Sequence, residues 1–446
     1  MQSTLLPPGP RGRFLWGNLK DFQRGRLDFL TSCARDYGDV VGLRFGRHRV
    51  FALFHPDGIE ETLVPHYQQF IKHYALRLNP LIFGKGLITS EGEFWLRQRR
   101  LIQPAFSRRQ IASYAPVMVE ATAAMLGRWQ AGETRDIFPE MMQVTLAIAA
   151  KTLFDAEVET DAPEVGQALH LLQQNFQNRL NRLLPLPLWL PTFENLRLRR
   201  IIRGLDAIIY RFIAQRRKDG QDRGDLLSLL LRARDEDDGQ GMTDQQVRDE
   251  AMTLFLAGHE TTALVLAWTW WLLSQNPRVE EALAAEVKEA LDGRLPTVDD
   301  LPRLSYTEKV VTESMRLYPP VWTIGRETTV DCTIGGFQVP RGTTLLMPQW
   351  VVHRDERFFS QPEAFLPERW TEEFTRRLPK FAYFPFGGGP RLCIGNNFAL
   401  MELVLVLACI TQRFRFTLQP GFDVKPWATF TLRPEKGVAT LLTKRG

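Results

Sequence analysis

Apolar residues recur every three to four positions through most of residues 90 to 318, the spacing of helices that bury one face. Toward both ends the pattern changes to alternation. VVGLRFGRHRVFALF, residues 40–54, alternates on either side of Gly46-Arg47-His48 and predicts a β-hairpin. CTIGGFQVPRGTTLLMP (332–348), FRFTLQP (414–420) and VATLLTK (438–444) predict further strands. A helical middle between strand-bearing ends predicts a mostly α fold with small β-sheets.

The longest helical pattern runs from Met242 to Ser274. Thr243 and Gln246 offer a capping box at its start, and Asn276-Pro277 stops it. At about 1.5 Å per residue such a helix crosses the whole molecule. Its centre, LFLAGHETTALVL, interrupts the apolar pattern with Gly258, His259, Glu260, Thr261 and Thr262. Glycine and β-branched threonine are poor helix formers, so the interruption costs stability. Two readings stay open: a close helix contact with threonines bonded to their own backbone, or a local opening that offers a ligand hydroxyl and carboxyl groups. His259 is given no chemical role.

Three shorter segments add chemistry. SYTEKVVTESMRLYPP (305–320) sets Glu313 and Arg316 three apart on one helical face, and PERW (367–370) follows with Arg369. EFWLRQRRLIQPAF (93–106) sets Trp95 and Arg99 four apart, so that an indole N–H and a guanidinium face a carboxylate from one side. FGGGPRLCIG (386–395) holds Cys393 in a glycine loop just before the helix NNFALMELVLVLACI, where the helix dipole favours an anionic sulfur.

Composition narrows the field. Of 446 residues 44% are hydrophobic, ample for a large core, and the net charge is only +5 with no lysine-rich tail, which argues against nucleic acid. Four cysteines, Cys33, Cys332, Cys393 and Cys409, are too sparse and irregular for a disulfide framework or a zinc site, and a reducing cytosol is the expected compartment. No stretch reads as a signal peptide or membrane span. No repeat or long linker divides the chain, so 1–446 is expected to be one domain.

In order and spacing, the Trp-x-x-x-Arg helix, Ala-Gly-x-Glu-Thr-Thr, Glu-x-x-Arg, Pro-Glu-Arg and Phe-x-x-Gly-x-Arg-x-Cys-x-Gly resemble the cytochrome P450 family over essentially the whole chain. The last motif matches at Phe386, Gly389, Arg391, Cys393 and Gly395. The resemblance implies haem b, held between the long central helix and the helix after the cysteine loop, with Cys393 as axial thiolate and Phe386 shielding it. It implies propionate contacts from Trp95, Arg99, Arg326 and Arg391, and a buried ion-pair network of Glu313, Arg316 and Arg369 behind the loop. Ala257 and Gly258 are expected over the haem, with Glu260 and Thr261 as the acid and alcohol that manage protons. Leu87, Ile88, Ala257, Thr261, Val321, Trp322 and Phe430 are the implied pocket.

The activity implied is O2-dependent hydroxylation of a lipophilic substrate: a fatty acid, terpenoid or steroid. Glu260 and Thr261 weigh against a peroxygenase or hydroperoxide-rearranging enzyme, and against a non-catalytic haem-binding sensor. With no flavin or iron–sulfur motif, electrons are expected from a ferredoxin or flavodoxin-type donor with its reductase, docking near Arg97, Arg100, Arg108 and Arg391. The apolar connector RLNRLLPLPLWLPT (179–192) is expected over the substrate entrance, where the family's connector can touch a membrane, and Arg47 and Arg49 are placed at the mouth as carboxylate anchors. A soluble, cytoplasmic protein without a transmembrane anchor is the expected form.

Overall fold

The computed structural model describes residues 6–445 apart from 75, 79, 156–170 and 172–189. The entrance connector therefore lies, up to residue 189, outside the described residues.

The long helix spans Asp244–Gln275 and carries the expected capping box: Thr243 Oγ1 accepts the Gln246 N–H, and the Gln246 side chain accepts the Thr243 N–H at 2.8 Å. Alternate turns bury Val247, Ala251, Leu264, Trp268 and Trp270, and helices pack around it on several sides. The principal partner is the helix Ile137–Phe154, which carries Ile148 and Ala149 into the interior. With 18 residues and a mean hydropathy of 1.2 it is long and apolar enough to cross a membrane, contrary to the sequence reading, which found no such stretch. Its apolar character is explained by the long helix it covers. The cysteine helix, Asn396–Thr411, buries nearly every side chain from Met401 onward in the same core.

Strands β1 (Val40–Phe45) and β2 (His48–Leu53) form the expected hairpin, closed by Gly46 at φ 59 and Arg47, with Phe45 opposite His48. Strands β3 (Phe70–Lys72), β4 (Thr134–Asp136), β5 (Ile324–Thr328), β6 (Cys332–Ile334), β7 (Phe337–Val339), β8 (Thr344–Met347), β9 (Phe414–Leu418), β10 (Pro426–Ala428), β11 (Leu432–Pro434) and β12 (Ala439–Lys444) complete the set. The main sheet runs β1-β2-β8-β5-β3, the second β4-β12-β9, and β6-β7 and β10-β11 are hairpins. In the main sheet β2 and β8 are parallel, while β5 lies antiparallel to both β8 and β3. The register of the last pair sets Lys72 directly opposite Arg326.

Candidate active site

Gly387 (φ 76) and Gly389 (φ 65) adopt left-handed backbone that only glycine takes without strain, and a Cβ at Gly389 would lie 1.9 Å from the Leu63 carbonyl oxygen. The turn they make brings the Cys393 N–H to the Phe386 carbonyl at 3.0 Å, and the cysteine helix starts at Asn396. The Cys393 side chain is accessible yet surrounded by protein, so it lines an interior space. Desolvation pushes its thiol up, opposed by the Gly395 N–H and by the charge of Arg99. A metal ion overrides that penalty, since a coordinated thiol is deprotonated outright. Phe386 is half-buried against the main core.

The cysteine loop is braced from behind by the expected network, which is complete. Glu313 accepts from Arg316 Nε (2.9 Å) and Nη2 (2.8 Å), from Arg369 Nε (2.9 Å) and from the Leu366 N–H (3.0 Å). Trp370, absent from the sequence reading, donates its indole N–H to Glu313 at 2.9 Å. Arg316 spends its remaining N–H groups on the carbonyls of His353, Pro362 and Ala364. His353 in turn accepts the Phe384 N–H at 3.0 Å, and Gln349 donates to the Phe384 carbonyl. Burial holds His353 neutral, well below the usual histidine range, as that acceptor role requires. The chain of bonds thus runs from Glu313 to within two residues of Phe386.

On the side of the Trp95 helix, Arg391 stacks over Trp95 at 3.8 Å, pairs with Glu91 and donates to the Ser90 carbonyl at 3.0 Å. Arg326 is close by; burial and the Arg391 charge lower it to about 10. The sequence reading missed Lys72. Its ammonium is buried, donating to the carbonyls of Leu87 and Ser90, and desolvation with Arg391 and Arg326 pushes it well below the lysine range. Like charges directly across a strand pair are destabilising, so Lys72 opposite Arg326 needs an anion. Glu91 is engaged with Arg391, and Arg326 and Arg391 gathered with the Lys72 amine make a basic cluster that suits the two carboxylates of a haem. His73, pushed down to about 4 by burial, lies where a Cβ on Gly325 would come within 2.3 Å of its ring. Arg99 donates to the Leu392 carbonyl at 3.0 Å, and its charge reaches both the neighbouring Arg391 and the Cys393 sulfur. A single lysine in a three-residue strand left too little sequence signal.

The long helix is continuous through residues 257–262, so of the two readings left open by the sequence, threonines bonded to their own backbone is the one seen, without a local opening. Thr261 donates to the Ala257 carbonyl (2.8 Å) and Thr262 to that of Gly258 (3.0 Å), which keeps both hydroxyls satisfied without unwinding. A Cβ at Gly258 would meet nothing within 4 Å. Glu260 is buried and turned away toward β11, accepting from Thr431 Oγ1 (2.7 Å) and Arg433 Nε (2.9 Å). Neither partner was expected from the sequence. His259 is buried and neutral, its Nδ1 2.8 Å from the Phe255 carbonyl.

Ile394 packs in the same apolar cluster as Leu254, Phe255 and Leu256 of the long helix and as Leu87 and Ile88. Val321 is half-buried and Phe430 exposed. Trp322 corrects the expectation for the pocket: it is a core residue, 4% exposed, donating to the Thr429 carbonyl at 2.9 Å and lying against Phe22. The expected docking arginines are also partly neutralised. Arg97 pairs with Asp235 and Asp238, and Arg100 with Asp235 and Asp237, because an acidic turn folds back on them.

A cytochrome P450 family model matches residues 7–441. Among curated proteins, cyclooctatin synthase of Streptomyces melanosporofaciens is 38% identical over 94% of this chain and 91% of its own. Cyclooctat-9-en-7-ol 5-monooxygenase of the same organism is 38% identical over 91% and 88%. Pentalenene oxygenase of Streptomyces avermitilis is 35% identical over 96% and 95%. The crystal structure of the cytochrome P450DA heme domain superposes with a TM-score of 0.91 at 28% identity, covering 99% of this chain and 98% of that one.

Proposed function

We propose that this chain, which belongs to the cytochrome P450 family, hydroxylates a terpenoid at unactivated carbon, with O2 as oxidant and electrons from a separate ferredoxin- or flavodoxin-type donor and its reductase. Family membership makes it a haem-thiolate monooxygenase. The observation that carries the substrate class is the apolar convergence around the sulfur: Ile394, next to Cys393, shares one cluster with the long helix, Leu87 and Ile88. Burial of apolar surface there, at roughly 25 cal/mol per Å², supplies the binding energy a hydrocarbon needs. The relatives named for cyclooctatin, cyclooctat-9-en-7-ol and pentalenene support a terpenoid over a fatty acid or steroid.

When bound, haem b supplies the iron chemistry that activates oxygen, with a thiolate ligand pushing electron density toward it. The chain's residues do the rest. Cys393 would hold the iron; Lys72, Arg326 and Arg391 with the Trp95 indole would hold the propionates, and Arg99 steadies the cysteine loop. Gly258, where a Cβ would meet nothing within 4 Å, and the small Ala257 beside it would leave room for the haem. The Thr261 hydroxyl, released from the Ala257 carbonyl, holds a proton toward the substrate side, and Glu260, paired with Arg433 and Thr431, is the carboxyl next to it in the chain that relays protons from the β11 side. Residues 1–446 are read as one haem domain of a cytoplasmic protein.

The test is a spectral titration of the purified haem protein. Cyclic terpenes are expected to shift the Soret band to saturation at lower concentration than fatty acids or steroids. Saturation by amino acids or sugars, with no response to any lipophile, overturns the reading.

A further inference from the structure

The loop from Gly84 to Ser90 carries Leu87 and Ile88, and it is gripped from two sides: by groups of the long helix that the mechanism above leaves unused, and by Lys72. Two successive residues of the long helix bond to it, and the residue before them holds the turn that leads into it. Arg248 Nη1 donates to the Ile82 carbonyl at 3.0 Å. Asp249 Oδ2 accepts the Lys85 N–H at 2.9 Å. Glu250 Oε2 accepts the Leu87 N–H at 2.9 Å, while its Oε1 accepts from the Gln98 amide at 3.3 Å. From the opposite side, the Lys72 ammonium takes the Leu87 and Ser90 carbonyls. The peptide groups on both sides of Leu87 are therefore fixed, one by a carboxylate and one by a buried cation.

The fit is close. Gly84 has φ 51, and a Cβ there would lie 2.2 Å from the Asp249 carboxyl; a Cβ at Gly86 would lie 2.1 Å from Thr253 Oγ1. Asp249 is itself oriented by Gln245 (2.9 Å) and Arg248 (3.0 Å). Glu250 and Ala257 are seven residues apart, two helical turns on one face, and Thr261 follows one turn later. The loop is thus fastened to the stripe of the helix that leads into the site. Both carboxyls are almost fully buried, at 4% and 0% exposed, a costly way to gain cohesion that an apolar contact supplies more cheaply.

We propose that Asp249 and Glu250 are positioning residues for substrate specificity: they set the height of Leu87 and Ile88 above the long helix, and so the shape of the pocket wall, without touching substrate. The inference rests on reading Leu87 and Ile88 as pocket wall for a lipophile.

The test compares wild-type holoenzyme with Glu250→Ala, Glu250→Gln and Gly86→Ala. Amide hydrogen exchange reports the clamp, and spectral Kd values with product positional ratios over terpenes of different ring number report the pocket. Each variant is first required to show the thiolate carbon monoxide band. Glu250→Ala is expected to speed exchange in residues 84–90 at least tenfold with the cysteine helix unchanged, and to alter product ratios several-fold. Glu250→Gln, which keeps an acceptor oxygen, is expected to stay near wild type. Gly86→Ala, which lifts the loop off Thr253, is expected to move the product ratios with both carboxylates intact. Unchanged exchange in Glu250→Ala overturns the clamp. Faster exchange with unaltered Kd values and product ratios in both Glu250→Ala and Gly86→Ala overturns the specificity role. If wild type binds no terpene at all, the substrate reading fails instead, and the same variants are scored on whichever lipophile does bind.

Discussion

Glu260 is next to Thr261 in the chain, yet its carboxylate spends itself on Arg433 and Thr431 rather than on that hydroxyl. Successive residues on a helix point about 100° apart, so a shared motif does not mean a shared hydrogen bond. Arg433 is the charged partner of that buried carboxylate. Arg433→Leu is expected to cost on the order of 3–5 kcal/mol, the usual effect of leaving one partner of a buried pair alone. The thermal midpoint should fall, and more reducing equivalents should end as peroxide; normal coupling in that variant would remove Glu260 from proton handling. Cys393→His is the complementary test at the sulfur. Reduced protein with carbon monoxide should lose its red-shifted band, and an unchanged spectrum would overturn the ligand assignment. A third prediction concerns pH. Burial raises Glu250 to about 7, above its ordinary 4.5, so between those values the folded chain binds more protons than the unfolded one. Its contribution is fully present below the unfolded value and lost as pH rises through 7, on the order of 3 kcal/mol. Buried neutral histidines such as His73 and His353 slope the opposite way, so the quantity to measure is the difference between wild type and Glu250→Gln in thermal midpoint from pH 5 to 8. That difference should grow in favour of the variant as pH rises.

At the scale of elements, the helix Ser305–Leu317 and the segment 360–370 behave as one mechanical part. Glu313 is the hub: it satisfies two guanidiniums, an indole and a backbone N–H with no exposure to water. Glu313→Gln is expected to leave Arg316 and Arg369 short of negative charge, again on the order of 3–5 kcal/mol. Since the same bonds reach Phe384, the variant should also retain less haem after purification, read as the ratio of Soret to protein absorbance. A full haem complement with an unchanged thermal midpoint would show that the loop stands without its brace. The hub was legible in the sequence because Glu313 and Arg316 share a helical face. Trp370 and His353 were not, because their contacts are made across loops with no periodicity. The hairpin at Gly46, the long helix and its capping box were legible for the same local reason. The three-residue strands β3, β4, β10 and β11 were not, being defined by their partners rather than by their own pattern.

The whole molecule sets one more limit on reading charge from sequence. Arg97, Arg100, Arg108 and Arg391 were grouped as a docking surface because they flank the Trp95 helix and the cysteine loop. Tertiary structure splits them: Arg97 and Arg100 are bound to the turn at 235–238, and Arg391 stacks on Trp95. Arg108 remains exposed, two residues beyond Phe106, whose ring would lie 3.6 Å from a Cβ on Gly395. No ion pair engages Arg108 among the described residues, and Leu392 of the cysteine loop is 37% exposed. An acidic electron donor is steered by uncompensated charge, and a Debye length of about 10 Å at 0.1 M salt screens what is already paired or distant. Arg108→Gln is therefore expected to slow reduction by the donor several-fold at low ionic strength, with the loss fading as salt is added. Arg100→Gln should change it little. Stopped-flow reduction under carbon monoxide measures both, and a larger loss for Arg100→Gln would move the docking face to the 235–238 side of the molecule.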